Sequence, residues 1–279
     1  MLTLPSSQAE QDEFVPFLHE LIGVAFGVIR PLFLSGTAVI DKADASPVTQ
    51  ADRGAEQAMR ALIERRYPDH AILGEEFGAK IGQRYRWVLD PVDGTRAFIT
   101  NCFLFGTLIA LERWHDDERG AGFRPLLGAI AHPATGHAVI GSASGCTLTA
   151  SDGSQRLARV RPCHRIEDAT LLTTSLWTVG EQRNAQNVDR LQRIAQRAKL
   201  TRTWGDCFGY FAVATGGADL MIDPTLAYWD VAAIVPVLEG AGGRVTSWTG
   251  GDPLASPSLI ASAGPLHDEV LALLHGRDA

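Results

Sequence analysis

The chain is poor in cysteine, in positive charge and in long apolar runs, and each shortage removes a class of protein. Four cysteines in 279 residues, Cys102, Cys146, Cys163 and Cys207, lie far apart with no Cys-x-x-Cys. That spacing gives no disulfide framework and no zinc knuckle, so they read as free thiols in a reducing compartment. Lys and Arg number 25 against 32 Asp and Glu, a net charge of −7, so the basic footprint of a nucleic-acid binder is missing. The acidity itself speaks only to solubility. The longest uncharged apolar run near the N-terminus, Leu21 to Ile29, is too short to span a bilayer, and the acidic segment before it argues against a cleaved signal peptide. No membrane partner is expected, and a cytoplasmic location is expected by default. What remains is a globular composition, 46% hydrophobic, long enough for one large or two intimate domains.

Glu13 to Leu34 predicts a largely apolar helix, with Pro16 in its first turn and a kink before Pro31. Residues 35–49 read as a loop. Thr49 to Tyr67 is an amphipathic helix with Ala51, Ala55, Met59, Leu62 and Ile63 on one side, ended by Pro68. Ala71 to Leu73 and Arg86 to Leu89 are short buried strands, Phe105 to Leu111 is a third, and Leu126 to Ala150 reads as antiparallel strands with Gly-bearing turns. The first half is thus helices over an antiparallel or mixed sheet. From Ala169 onward helix and strand alternate, which argues α/β, closed by a helix at Pro265 to His275. The best junction lies near 150–165, dividing the chain into an N-terminal α+β half, 1–155, and a C-terminal α/β half, 156–279.

The chemistry concentrates in Val88-Leu89-Asp90-Pro91-Val92-Asp93-Gly94-Thr95. An apolar strand runs into two acids three apart and then a Gly-Thr turn, and strand ends are where open α/β sheets place their sites. The carboxylates and the Val92 carbonyl can hold a hard cation, and the Gly94 and Thr95 amides, at the start of a helix, can hold a phosphate. Without a cation the carboxylates repel and raise each other's pKa. Gly74-Glu75-Glu76 sits at a neighbouring strand end. Arg84, Arg86 and Arg96 offer an alternative in which the acids are merely ion-paired. Asp230, in the first turn of the helix starting at Tyr228, can add a further ligand or only favour the helix dipole. The eight histidines are scattered, and His70, His132 and His137 read as structural or solvated turn residues.

Four ordered motifs, Pro47-Val48-Thr49-Gln50-Ala51-Asp52, Gly74-Glu75-Glu76, Asp90-Pro91-Val92-Asp93-Gly94-Thr95 and Trp229-Asp230-Val231-Ala232-Ala233, resemble those of the Mg²⁺-dependent, lithium-sensitive phosphatases typified by inositol monophosphatase. The resemblance spans roughly residues 15–270 and implies a five-layered α/β/α/β/α sandwich with two or three Mg²⁺ ions. It implies that Glu75, Asp90 and the Val92 carbonyl hold the first ion, Asp90, Asp93 and Asp230 the second, and that Glu75 helps place a weaker third. Thr95, oriented by Asp52, would position the attacking water, and Asp93, Gly94 and Thr95 would surround the phosphate. Lys42 takes the place of a family loop lysine near the metals, or is a solvated loop residue, and Glu76 is a further possible loop contact. A homodimer is the family's usual state. Such chemistry needs neither a covalent intermediate nor a Ser–His–Asp or Cys–His arrangement.

Within the superfamily, Gly94-Thr95-Arg96-Ala97-Phe98-Ile99-Thr100, Phe105 to Leu111, Trp204-Gly205-Asp206-Cys207 and Ile234 to Gly243 look like the histidinol-phosphate phosphatases. Histidinol phosphate carries an ammonium and an imidazole, so its pocket should present acids beyond those on metal. Asp206, at a helix start, and Asp223, seven residues before Asp230, are the candidates, with N-cap and turn roles as the alternatives. Arg96 can hold the phosphate, hold the motif loop or pair with an acid. Asn101-Cys102 departs from the subfamily's usual Gly, and residues 115–124 look like a lengthened hairpin loop. The alternatives are an inositol monophosphatase or broader sugar phosphatase, a 3′-phosphoadenosine nucleotide phosphatase, and a non-catalytic binding protein.

Overall fold

The computed structural model describes the chain apart from residues 37–38, 42–46, 118–119, 177–184 and 277–279, so Lys42 lies outside the described residues. A helix, α1 (Gln8–Leu32), precedes two short strands, β1 (Val39–Asp41) and β2 (Pro47–Thr49), and a second helix, α2 (Gln50–Arg66). Next come β3 (Ala71–Gly74), β4 (Gly78–Lys80), β5 (Tyr85–Asp93), the one-turn α3 (Thr95–Ile99), and the run β6 (Gly106–Asp117), β7 (Gly120–His132), β8 (His137–Ser142), β9 (Gly145–Thr149) and β10 (Gln155–Leu157). The rest of the chain is β11 (Thr170–Leu172), α4 (Ala185–Arg197), β12 (Leu200–Arg202), α5 (Asp206–Ala214), β13 (Leu220–Asp223), α6 (Tyr228–Gly240), β14 (Gly243–Thr246), β15 (Leu259–Ala263) and α7 (Gly264–Leu274).

Two sheets organise these elements. Eight strands pair in the order β10-β9-β8-β7-β6-β5-β3-β4, and five in the order β12-β11-β13-β15-β14. The first sheet is antiparallel except for β3 alongside β5; the second is parallel from β12 through β11 to β13 and antiparallel beyond. Both are covered on both faces, which is why their central strands read as continuous apolar runs rather than alternating ones. Along β5, Trp87 and Leu89 pack with Phe14, Leu21, Met59 and Ile63 of α1 and α2, while Val88 points to the opposite side. There Val88, Leu108 and Ile130 meet α5 and α6, whose far sides meet Met221 and Ala261 of the second sheet. The other face of that sheet, Leu220, Ile222 and Ile260, is covered by Leu191 and Ile194 of α4 and Leu266 and Val270 of α7. Helices, sheet, helices, sheet, helices: the structure is the five-layered α/β/α/β/α sandwich.

Some elements differ from the expectation. α1 begins five residues before Glu13 because Ser7 and Glu10 form a reciprocal capping box. By length and composition α1 could cross a membrane, but Phe14, Phe17, Leu18, Leu21, Ala25 and Ile29 are buried against the sheet layer and α2, so it is a core helix here. Residues 115–117 and 120–124 are strand rather than loop: beyond a register shift at Leu111/Glu112, β6 and β7 pair out to Asp117 opposite Gly120, and Trp114 and Phe123 stack edge to face across the ladder.

One contact sets the position of α6. A Cβ on Gly128 would lie 2.2 Å from the Ala233 carbonyl oxygen, and one on Gly141 would lie 2.4 Å from that of Pro236. The helix therefore rests on bare backbone of β7 and β8. Gly128→Ala is expected to destabilise the protein by about 1–3 kcal/mol through overpacking. It should also lower activity by shifting α6 and its Asp230. An unchanged thermal midpoint in calorimetry would refute this account of the seating.

Candidate metal and phosphate site

In a regular strand, residues three apart point to opposite faces. Asp90 and Asp93 nevertheless come together, because Asp90 is opposite Leu108 and Asp93 opposite Gly106, so β5 carries one extra residue over that interval. This β-bulge flips the second acid back to the side of the first. Pro91 lies inside it, where no ladder N–H is needed, and its carbonyl is capped by the Thr107 hydroxyl at 2.8 Å. The Val92 amide donates to Asp90 Oδ1 at 3.1 Å. Gly94 follows at φ 80°, a left-handed turn, and a Cβ there would stand 3.0 Å from Asp206 Oδ2.

Two more acids arrive on helices, each fixed by its own helix start. Asp230 is the third residue of α6, and its Oδ2 accepts from the Ala227 amide at 2.8 Å. Asp52 is the third residue of α2 and closes a capping box with Thr49, accepting its amide at 2.8 Å and its hydroxyl at 2.5 Å on Oδ2. Asp52 Oδ1 is left to face Thr95, whose hydroxyl lies 3.3 Å away and 3.1 Å from the Val92 carbonyl. One oxygen of Asp230 thus caps the helix start, and the carboxyl also reaches the β5 acids.

Asp90, Asp93 and Asp230 present oxygens that all lie within 4.8 Å of one another. Burial holds all three above the usual carboxylate range, helped at Asp90 by repulsion from Glu75, Asp93 and Asp230, at Asp93 by that from Asp230 and Glu75, and at Asp230 by that from Glu75 and Asp206; Asp93 rises to about 8 and Asp230 to about 7. No ion pair among the described residues neutralises these three acids. Arg86, the nearest alternative, is instead taken by buried Glu112 at 2.6 Å and by the Tyr228 hydroxyl at 2.8 Å. Clustered, buried at Asp90 and half-buried at Asp93 and Asp230, oxygen-only and without a counter-charge among the described residues, this donor set fits a hard divalent cation.

The remaining expected residues separate. Asp206 is brought to the site: its left-handed φ of 49° is held by its amide on Thr174 Oγ1 at 3.0 Å, and its carboxylate sits over Gly94. Burial and the charges of Asp93 and Asp223 raise its pKa, while exposed Arg96 pulls it down. The N-cap of α5 is Gly205, not Asp206. Asp223, expected at the substrate rim, is buried at 1% exposure, with one oxygen on the Thr174 amide at 3.0 Å and the other on the Tyr210 hydroxyl at 2.9 Å. It braces the segment that carries Thr174, and through it Asp206. Glu75 and Glu76 lie in the turn after β3, half-buried. Cys207, which sequence reasoning passed over, donates its amide to Asp93 Oδ2, while burial and neighbouring carboxylates push its thiol well up, excluding a thiolate nucleophile. Glu56 was also missed; it is fully buried beneath the Glu75 turn.

A five-layered sandwich with an acid cluster and a Gly-Thr turn at the end of its central strand defines a phosphoric monoester hydrolase of the metal-dependent kind. Residues 10–278 match the model of the inositol monophosphatase family, and the chain belongs to that family. It is 38% identical over 263 residues to the bifunctional phosphatase IMPL2, chloroplastic, of Arabidopsis thaliana, covering 92% of this chain and 71% of that protein. It is 36% identical over 242 residues to a histidinol-phosphatase of Streptomyces coelicolor, covering 85% and 86%. Among solved structures, an inositol monophosphatase from Zymomonas mobilis superposes with a TM-score of 0.80 at 35% identity, covering 97% of this chain and all of the other.

The acid cluster makes stability depend on pH in a defined sense. Its carboxyls titrate higher in the folded protein than in the unfolded chain, so their contribution is intact in acid and is lost as pH rises toward 7–8. A divalent cation reverses that loss by taking the ionised form. The rise in thermal midpoint on adding Mg²⁺ should accordingly be larger at pH 8 than at pH 6. Equal rises in scanning calorimetry would show that the cation does not bind these carboxyls.

Proposed function

We propose that the protein hydrolyses L-histidinol phosphate to L-histidinol and phosphate, with Mg²⁺ held by Asp90, Asp93, Asp230, Glu75 and the Val92 carbonyl. The observation that carries the substrate is Asp206, a carboxylate outside the cation set yet placed over the phosphate turn at Gly94. Burial and neighbouring acids disfavour its ionised form when the site is empty, and a cationic group opposite it restores that form, so it suits a substrate whose end away from the phosphate is cationic. The identity to the Streptomyces coelicolor histidinol-phosphatase supports the same ester.

When bound, Mg²⁺ neutralises the phosphate monoester and makes a water nucleophilic near neutral pH. The residues of the chain do the rest. The Gly94 and Thr95 amides, at the start of α3, face the phosphate. Thr95 has one hydroxyl proton and two acceptors in reach, Asp52 Oδ1 and the Val92 carbonyl; were the carbonyl to serve a cation, the proton would go to Asp52 Oδ1. The hydroxyl oxygen is then free to accept from the attacking water and aim its lone pair at phosphorus. Asp52 cannot swing away, because its second oxygen is locked in the α2 cap. Cleavage of the P–O bond leaves an alkoxide, which takes its proton from solvent water; the alcohol then departs on the side of Asp206, whose carboxylate would hold its ammonium or imidazole.

Phosphate release from L-histidinol phosphate and from myo-inositol 1-phosphate, measured side by side with Mg²⁺ and with EDTA, should favour histidinol phosphate strongly and vanish in EDTA. Preference for the inositol ester would reassign the substrate and leave the hydrolase chemistry standing. Asp206→Asn should raise KM for histidinol phosphate by about 10-fold, the loss of a hydrogen bond to a charged group, and spare p-nitrophenyl phosphate. An equal loss on both esters would remove Asp206 from substrate recognition.

A further inference from the structure

Glu56 has no exposed surface, and its carboxylate points at the turn that carries Glu75. It accepts the Glu76 amide at 2.7 Å on Oε2, and the Phe77 amide at 3.2 Å on Oε1. Its charge is balanced by Arg60 Nε at 2.7 Å, and the same guanidinium reaches on to the Gly78 carbonyl. The bare Cα of Gly74 is what admits the carboxylate, since a Cβ there would stand 2.0 Å from Glu56 Oε1. From the outside the turn is gripped a second time, with the Phe77 ring between the guanidinium groups of Arg53 and Arg60 at 5.5 and 6.0 Å.

Asp52 and Glu56 are four residues apart on α2 and so share a helix face. One reaches Thr95 and the other the Glu75 turn. We propose that Glu56 is a positioning residue, which fixes the backbone immediately after Glu75 so that the Glu75 carboxylate meets the cation held by Asp90, Asp93 and Asp230. α2 thereby spaces the water-orienting hydroxyl and the cation-binding turn by one helical turn. Carboxylates that orient ligands in this way commonly alter metal affinity about 10–100-fold when removed. The proposal rests on the reading of Glu75 as a cation ligand given above.

The test is a double-mutant cycle read by isothermal titration of Mg²⁺ into the protein, with the thermal midpoint followed in parallel. Glu56→Gln keeps the shape but replaces one acceptor oxygen with a donor that opposes the amides. It should weaken Mg²⁺ binding about tenfold. In a Glu75→Gln background the same substitution should have little further effect, because Glu56 acts through Glu75. Unchanged Mg²⁺ affinity in Glu56→Gln, or equal losses with and without Glu75, would overturn the proposal and leave Glu56 a fold-stabilising residue. If Glu75→Gln itself leaves Mg²⁺ binding intact, it is the ligand assignment that fails. Should Glu56→Gln not fold, Arg60→Gln, which loosens the same turn from a partly exposed position, replaces it in the cycle with the same criteria.

Discussion

Three carboxylates held within reach of one cation repel one another, and much of the surrounding structure exists to keep them there. None of the three can relax outward. Asp90 is tied to the Val92 amide, Asp93 to that of Cys207, and Asp230 to that of Ala227. In each case a backbone N–H fixes an oxygen, so the geometry is set by the main chain rather than by flexible basic side chains. That choice matters electrostatically. A guanidinium within the cluster would satisfy the acids and abolish their affinity for a cation; amides orient them and leave the negative charge largely uncompensated.

Much of this was readable in the sequence, because the site lies where apolar strands and helix starts meet acids, and those junctions are local patterns. Asp90, Asp93 and Asp230 are found that way, while Asp52 comes only from the family resemblance. What local pattern does not carry is how two acids of odd spacing share a face. That depends on the register of β5 against β6, and on Thr107, sixteen residues away, sealing the Pro91 carbonyl. Asp223 shows the converse. The family resemblance puts it at the substrate, but Tyr210 and the Thr174 amide enclose it, and neither partner is adjacent in sequence. Glu56 carries a usable clue in its four-residue offset from Asp52, yet its partners are amides twenty residues downstream. The strand extension at 115–117 and 120–124 was hidden by its polar, glycine-containing composition, which reads as a turn; cross-strand packing of Trp114 on Phe123 overrides it.

In the proposed reading, the groups that would face the two ends of the ester come from different parts of the fold. The cation acids belong to the first sheet and to α6, whereas Asp206 stands at the start of α5, on the segment held by Thr174 and Asp223 from the second sheet. The left-handed Asp206 costs about 1–3 kcal/mol, an expense met locally by that segment rather than by the metal ligands. Substitutions around residues 204–206 can therefore retune which alcohol is accepted without disturbing the bulge or the helix caps. Relatives in one family that are named for different esters are what such a division of labour allows.

The bare seat of α6 on Gly128 and Gly141 has a bearing on the order in which the site is assembled. The helix rests on two neighbouring strands at once, so its docking surface does not exist until β7 and β8 have paired. A chain whose first sheet has formed but whose α6 is undocked holds two acids of the three. The site is therefore completed by contacts separated by about a hundred residues or more in sequence, between Asp230 and the β5 acids. A cation held by all three acids would therefore require the middle helical layer to have closed, and its binding would report that closure.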